Sequence, residues 1–589
     1  MAIGRTMKPV FSVVTVLLGL GLAGCANLSG TDNQTDTGKS TEQQAVTPPP
    51  EDKINYADFD QDTLYSLLAA EVAAQRGRYD VTLVNYVEAA KSSRDLGVIK
   101  RAMRIAQSLN ADNAQLQLAN LWLEVEPDSL EAHRVAAIQY VRQKDFDLAL
   151  YHMEQILAQG EDADFDDLAA LSARLPKEDQ AQLLKLYQDL EKRHPDNREI
   201  QYGIALLLKS QGDPQAAMDK LDPLLDDSKQ PVFQPAIILR GDLLYQMGQK
   251  KEALDYLRYQ SRRYPDNRKL GTLYGRMLIE EKQMQAAEDQ FEDLMTRFPD
   301  VPELRLSYAL VALENGNTDD ARESLQILVD QQEHANEAHY YLGRIADEAG
   351  DTQEAISQYS QVSEGNHFLP AVSRVTYLRG STGDLDNALR DLRALRQQMP
   401  DLAESLWLVE VNTLLDLDQN DDALGAATEA LQSFPDNARI RYARAMLFDE
   451  LGRTEEAEAD LRQIIDSHPD NAVALNALGY ILTEKTDRLK EARELLEKAL
   501  KLDPDNPAIL DSVGWVHYKL GNMAQALDYL RRAYDAFPDP EVAAHYGEVL
   551  YVNGDKDQAR VVWRRALDEH PDDTLIPATM ERLGEERDL

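Results

Sequence analysis

The stretch DSVGWVHYKLGNMAQALDYLRRAYDAFPDP, residues 511–540, holds one full period of the chain. Its first half has helical apolar spacing up to Gly521, a residue that stops a helix by accepting the left-handed conformation. The second half places Ala526, Leu530 and Ala533 on one helical face and ends at Pro538, which cannot continue a helix. The next segment repeats the order with Gly547, Gly554, Ala559, Trp563, Ala566 and Pro571. Prolines followed by aspartate recur at Pro265, Pro299, Pro400, Pro435, Pro469, Pro504, Pro538 and Pro571, mostly 33 to 35 residues apart. A ladder of alanines keeps the same phase: Ala217, Ala253, Ala287, Ala321, Ala355, Ala388, Ala423, Ala457, Ala492, Ala526 and Ala559. Small residues let two helices approach closely, and the Asp-Asn pairs after Pro195, Pro265, Pro435, Pro469 and Pro504 supply N-caps for the next unit.

Counting back from Ala217 at the same interval reaches Leu183, Ala149, Leu116 and Thr82, where the pattern weakens but the spacing persists. Eleven clear units and up to four degenerate ones are expected. No segment alternates apolar and polar residues with period two, so the fold is expected to be all-α. A two-helix unit of about 34 residues with small residues at fixed points and a closing proline resembles the tetratricopeptide repeat. That resemblance implies a solenoid, a right-handed superhelix of helix pairs in which each unit touches only its neighbours. The expected layout is a signal peptide at 1–24, a lipidated tether at 25–53, degenerate helical repeats at 54–195, the repeat array at 196–573 and a polar capping helix at 574–589.

Cys25, the only cysteine, sets the expected address. Arg5 and Lys8 precede an apolar run from Val10 to Leu22, the charge and hydrophobe order of a secretory signal, too short to span a bilayer. Leu22-Ala23-Gly24-Cys25 resembles the lipobox of bacterial lipoproteins, which implies an acylated cysteine as the mature N-terminus. Ala26, in place of an aspartate, implies the outer membrane, with the chain facing the periplasm. Met7 is an alternative start. Residues 26–53, polar with Pro48-Pro49-Pro50 and no aromatic residue, are expected to be a disordered tether averaging ~30 Å end to end. With one cysteine no intramolecular disulfide is possible, so packing must hold the fold.

The formal charge is −41, and −43 once Arg5 and Lys8 leave with the signal. Such a field repels nucleic acid and anionic lipid, so protein partners are expected, with membrane contact through the N-terminal lipid alone. No metalloprotease, serine-hydrolase, phosphate-loop or paired-cysteine pattern occurs. The reading is of a non-enzyme with no catalytic residue, metal or cofactor. His194, His468 and His570 precede repeat-ending prolines where other units have Tyr264, Phe298, Met399, Phe434 or Phe537, and are read as packing substitutes.

Recognition is therefore sought on the surface that such arrays line with the first helix of each unit. Tyr202, Tyr340, Trp407, Tyr442, Asn476 and Asp511 fall at one equivalent position, Tyr377, Tyr480, Trp515, Arg276 and Arg344 at a second, and Tyr245, Tyr518 and Tyr551 at a third. Rings interleaved with polar donors suit a protein ligand. Each ring taken alone is equally consistent with filling space between helices. At the N-terminal end Tyr56, Phe59, Leu64, Leu67 and Leu68 have no preceding unit to cover them and are read as either self-capped or a docking site. Taken whole, the chain resembles the outer-membrane tetratricopeptide-repeat lipoproteins, in particular the adaptors of periplasmic carboxyl-terminal processing proteases. That resemblance implies a scaffold presenting substrates such as cell-wall hydrolases, and the alternative is an assembly or regulatory factor for a secretin, barrel-insertion complex or cell-wall synthase.

Overall fold

The computed structural model describes residues 59–585 apart from 162, 173, 174, 227, 229 and 230, so Cys25 and Tyr56 lie outside the described residues. Among the described residues there are 31 α-helices and no strand. The chain divides between Asn317 and Thr318 into two compact units.

One hairpin shows how sequence becomes structure throughout. Asn506 caps the helix Pro507–Lys519, its side chain accepting from the Ala508 amide at 3.1 Å. Gly521 takes φ +80° in the turn, and the second helix runs Met523–Ala536. Ala526, its fourth residue, is fully buried. Gly514 in the first helix faces Leu530 in the second: a Cβ built there would stand 2.6 Å from Leu530 Cγ. The helices can approach this closely only because that position carries no side chain. In the next hairpin Gly547 stands in the same relation to Trp563.

The first unit begins with the hairpin Gln61–Gln75 and Tyr79–Ser93, followed by Leu96–Ser108 with Asp112–Val125, Leu130–Arg142 with Phe146–Ala158, and Phe165–Ser172 with Lys177–Arg193. Three clear pairs and Pro302–Glu314 complete it. The alanine ladder falls on the fourth residue of each second helix in the clear units. In two degenerate units the backward count misses this position. It is held by Gln115 and Gln180, not Leu116 and Leu183. Both glutamines are buried and satisfy their own amides: Gln115 Nε2 donates to Ala106 O at 3.2 Å, and Gln180 Nε2 to Leu175 O at 2.9 Å. Turn lengths vary between units, so a fixed interval slips where no alanine marks the phase.

The second unit runs from Thr318–Gln331 to the terminal helix Leu575–Arg582. That last helix lies on Pro540–Asn553 and buries Ile576, Thr579 and Met580. Its Arg582 pairs with the buried Glu548 at 2.9 Å. In neither unit is the core a single centre; buried clusters follow one another along the chain, as nearest-neighbour packing requires. The reading of His468 and His570 as packing residues is corrected: both are exposed C-caps whose amides bond to the carbonyl four residues back. His194 is a half-buried C-cap with Nε2 3.1 Å from Glu154.

Candidate functional site

In the second unit the first helices of successive pairs touch one another: Phe368–Ser381 with Ala403–Asp416, that helix with Ala438–Glu450, and Ala472–Lys485 with Pro507–Lys519 and then Pro540–Asn553. These helices therefore lie on the inside of the bend, and their fifth, ninth and twelfth residues form its stripe. Tyr442, Asn476 and Trp407 are at the fifth position, Tyr480 and Trp515 at the ninth, and Tyr518 and Tyr551 at the twelfth. Tyr340, Arg344 and Tyr377 sit one residue later in helices that start one residue earlier.

The stripe divides into rings absorbed by packing and rings tied to charge. Trp407 is buried beneath the Arg396 guanidinium, 3.2 Å from the ring centre, and belongs to the core. Arg396 also donates to Glu410 at 2.8 Å, and Arg393 donates to the same carboxylate at 2.7 Å. Glu410 is fully buried at the eighth helix position, where Gly514 and Gly547 stand in other units, so this pair of helices replaces a close approach with an ion cluster. Tyr340 stacks on His367 with centroids 4.3 Å apart. Arg344 pairs with Glu348 at 3.0 Å, and Arg374, which pairs with Asp347 at 2.8 Å, lies over Tyr377. Tyr442 is half-buried.

Further along, the contacts become denser. Tyr480 donates its hydroxyl to Glu541 at 2.6 Å, although the two are 61 residues apart, and Trp515 Nε1 donates to Glu484 at 2.5 Å. His545 Nδ1 lies 2.9 Å from Asp511 Oδ2 and so carries the proton. Its ring stacks on Trp515 at 4.0 Å. Burial works against a charged imidazole there, but Asp511, with Glu541 and Glu484 behind it, more than offsets this and raises its pKa. Burial, reinforced by Glu541, pushes the Tyr480 phenol up. Tyr518 donates to Glu548 at 3.2 Å, and Lys556 lies over Tyr551.

In the first unit Tyr202 packs edge-on to Phe233, Tyr245 donates to Glu281 at 2.7 Å, and Arg276 is half-buried. The N-terminal hairpin presents a different surface. Leu64, Leu68 and Val72 follow at i, i+4 and i+8 on one face, 51, 59 and 47% exposed, with Tyr65 at 72% and Phe59 at 44% beside them. Tyr79 and Val84 extend the exposed apolar surface onto the second helix. Leu67 turns the other way and packs against the core.

Sequence reading had missed His545, Glu541 and the outward residues Tyr65, Val72, Tyr79 and Val84. The i, i+4 spacing was the available signal for Val72, and His545 lies one period of 34 residues after Asp511. Among the described residues no group of three His, Cys, Asp or Glu is placed to hold a metal ion. No described helix is long and apolar enough to cross a membrane. What the inner stripe offers is hydrogen bonding, ring surface and charge.

The tetratricopeptide-repeat profile matches residues 308–365, 408–461, 442–507 and 513–574. The TPR repeat-containing protein PA4667 of Pseudomonas aeruginosa is 41% identical over 552 residues, covering 93% of this chain and 91% of that protein. Among solved structures, the APC/C hetero-tetramer Cut9–Hcn1 aligns over 89% of this chain and 96% of its own, at 13% identity and a TM-score of 0.32. TTC0263, a thermophilic TPR protein of Thermus thermophilus, covers 31% of this chain and 98% of its own, at 22% identity and a TM-score of 0.28.

Proposed function

Because the chain belongs to the tetratricopeptide-repeat family, whose arrays are scaffolds for protein–protein contact, we propose that it is a non-catalytic adaptor. In this reading it is held in the outer membrane by acylated Cys25, faces the periplasm, binds a carboxyl-terminal processing protease and presents protein substrates such as cell-wall hydrolases. The observation that carries it is the open apolar stripe Leu64, Leu68 and Val72 with Tyr65 on the first hairpin. Exposed apolar residues aligned on one helix face of a soluble domain favour a protein partner. The hairpin also lies nearest the acylated cysteine in sequence, so a protease bound there works close to the membrane. The inner stripe of the second unit, far along the chain, is left for substrate.

The test is copurification from detergent-solubilised envelope with Leu64→Glu and Leu68→Glu combined. Both side chains are more than half exposed, so the fold and its melting are expected to stay unchanged. Loss of the protease with retention of substrate proteins supports the reading. Retention of the protease refutes the docking face, and recovery of a secretin, barrel-insertion or synthase component in its place replaces the adaptor role with that of an assembly factor.

A further inference from the structure

The densest part of the inner stripe contains two polar side chains whose hydrogen bonding is incomplete. Asp511 and Asn476 are each only 5% exposed, and the Oδ1 atom of each is buried without a hydrogen-bond partner. Both occupy the fifth position of their helices, and those helices touch. A buried acceptor lacking a donor is costly, and native structures seldom keep one without a reason. Here two sit at equivalent positions of adjacent repeats.

The surroundings specify the missing donor. Asp511, Glu484 and Glu541 put three carboxylates into the cluster, with Lys519 3.2 Å from Glu484 and His545 2.9 Å from Asp511. All three carboxylates act on the His545 imidazole and favour its charged form. Two free acceptors beside three carboxylates suit a group that donates several hydrogen bonds, accepts none and carries positive charge, which describes lysine and arginine. The Tyr480 ring adds a face on which a cation is stabilised, as Trp515 already does for Lys519, 4.9 Å from its ring centre. The Tyr480–Glu541 hydrogen bond joins helices two repeats apart beside His545, whose ring centre lies 6.2 Å from that of Tyr480.

We propose that Asp511 and Asn476 form a recognition pocket for a lysine or arginine side chain of a bound protein segment, with the Tyr480–Glu541 hydrogen bond as its gate. The proposal rests on the scaffold reading and names the chemistry of what the scaffold holds: a segment bearing a basic residue. It also accounts for Tyr480 and Glu541 meeting across two repeats, a contact that nearest-neighbour packing does not require.

The test uses the full chain in detergent and three dye-labelled nine-residue peptides that differ only in a central lysine, norleucine or glutamate, read by fluorescence anisotropy. The lysine peptide is expected to bind about tenfold or more tighter than the other two, the scale of one charge-assisted hydrogen bond. Asp511→Asn is expected to abolish that preference. Tyr480→Phe removes one hydrogen bond from a half-buried ring, keeps the packing, and is expected to speed association of the lysine peptide several-fold. Equal binding of the three peptides, or a lysine preference that survives Asp511→Asn, overturns the pocket. If Asp511→Asn does not fold, Tyr480→Phe decides: an unchanged association rate overturns the gated pocket. Protease copurification with the same variants reports on the scaffold reading separately, because its docking face is on the first hairpin.

Discussion

The same substitution, glycine to alanine, is expected to have opposite effects at two helical positions of the second unit. Alanine is favoured over glycine in a helix interior by about 1 kcal/mol. Gly425, inside the exposed face of Asn420–Ser433, has nothing within 4 Å of where its Cβ would stand, so Gly425→Ala is expected to stabilise by about that amount. At Gly514 the new Cβ meets Leu530 Cγ at 2.6 Å and the Leu530 backbone nitrogen at 3.1 Å, so a side-chain rotation alone does not make room. Overpacking of this kind costs about 1 to 3 kcal/mol, which outweighs the propensity gain and leaves Gly514→Ala destabilised by about 1 kcal/mol. Native-state hydrogen exchange reads both, since about 1.4 kcal/mol is a tenfold change in protection. Exchange is expected to accelerate several-fold over 507–536 in Gly514→Ala and to slow around 420–433 in Gly425→Ala, with residues 61–158 unchanged in both. Equal stabilisation by the two substitutions would refute the close-approach argument, and a loss of protection spread through the whole chain would refute nearest-neighbour packing.

Acid should open the hairpin Leu130–Arg142 and Phe146–Ala158 before its neighbours. His133 Nε2 donates to Pro127 O at 2.9 Å, so its Nδ1 accepts from His152 Nδ1 at 2.8 Å, and the pair is broken once His133 takes a proton on Nδ1. Burial, with His133 beside it, pulls His152 from 6.5 down to about 4. The stabilisation is present above 6.5 and lost as pH falls toward 4, about 2 kcal/mol by pH 5, and local hydrogen exchange across pH 5 to 7 checks it. Persisting protection of 130–158 at pH 5 would count against it. Glu410→Ala leaves the half-buried Arg396 without its buried carboxylate and is expected to cost about 3 kcal/mol, visible as lowered protection over 385–433, whereas Glu410→Gln keeps the shape and costs less. Cys25→Ser is expected to abolish acylation and membrane fractionation; a variant that still labels with a palmitate analogue would remove the anchor from the account.

The two-helix period, the count of units and the contact positions on the first helices were legible because each repeats. Ala526 and Gly514 recur at fixed helix positions, and close packing leaves few alternatives to small residues there. Gln115 and Gln180 were not legible: they fill the alanine position with polar groups that bond to nearby backbone, a local solution without periodicity. Trp407 was read as stripe and is core, since nothing in the sequence links Arg396 to its ring face. Glu410 illustrates the same limit, its burial depending on two arginines contributed by the preceding helix. The Tyr480–Glu541 contact was invisible because it joins residues two repeats apart, and curvature, set by many packing contacts together, decides whether they meet. The open face of the first hairpin was partly legible: Leu64 and Leu68 were found, while Leu67 turned inward, because adjacent residues on a helix cannot share a face.

The proposed function places two separate protein-binding surfaces on one chain. Site-specific photocrosslinking in cells, with the crosslinker placed at Leu68 in one strain and at Tyr442 in another, followed by mass spectrometry, tests it most directly. A carboxyl-terminal processing protease is expected from position 68 and a different protein, a substrate of that protease, from position 442. Capture of the same protein from both positions, or of a secretin or synthase component from position 68, would contradict it.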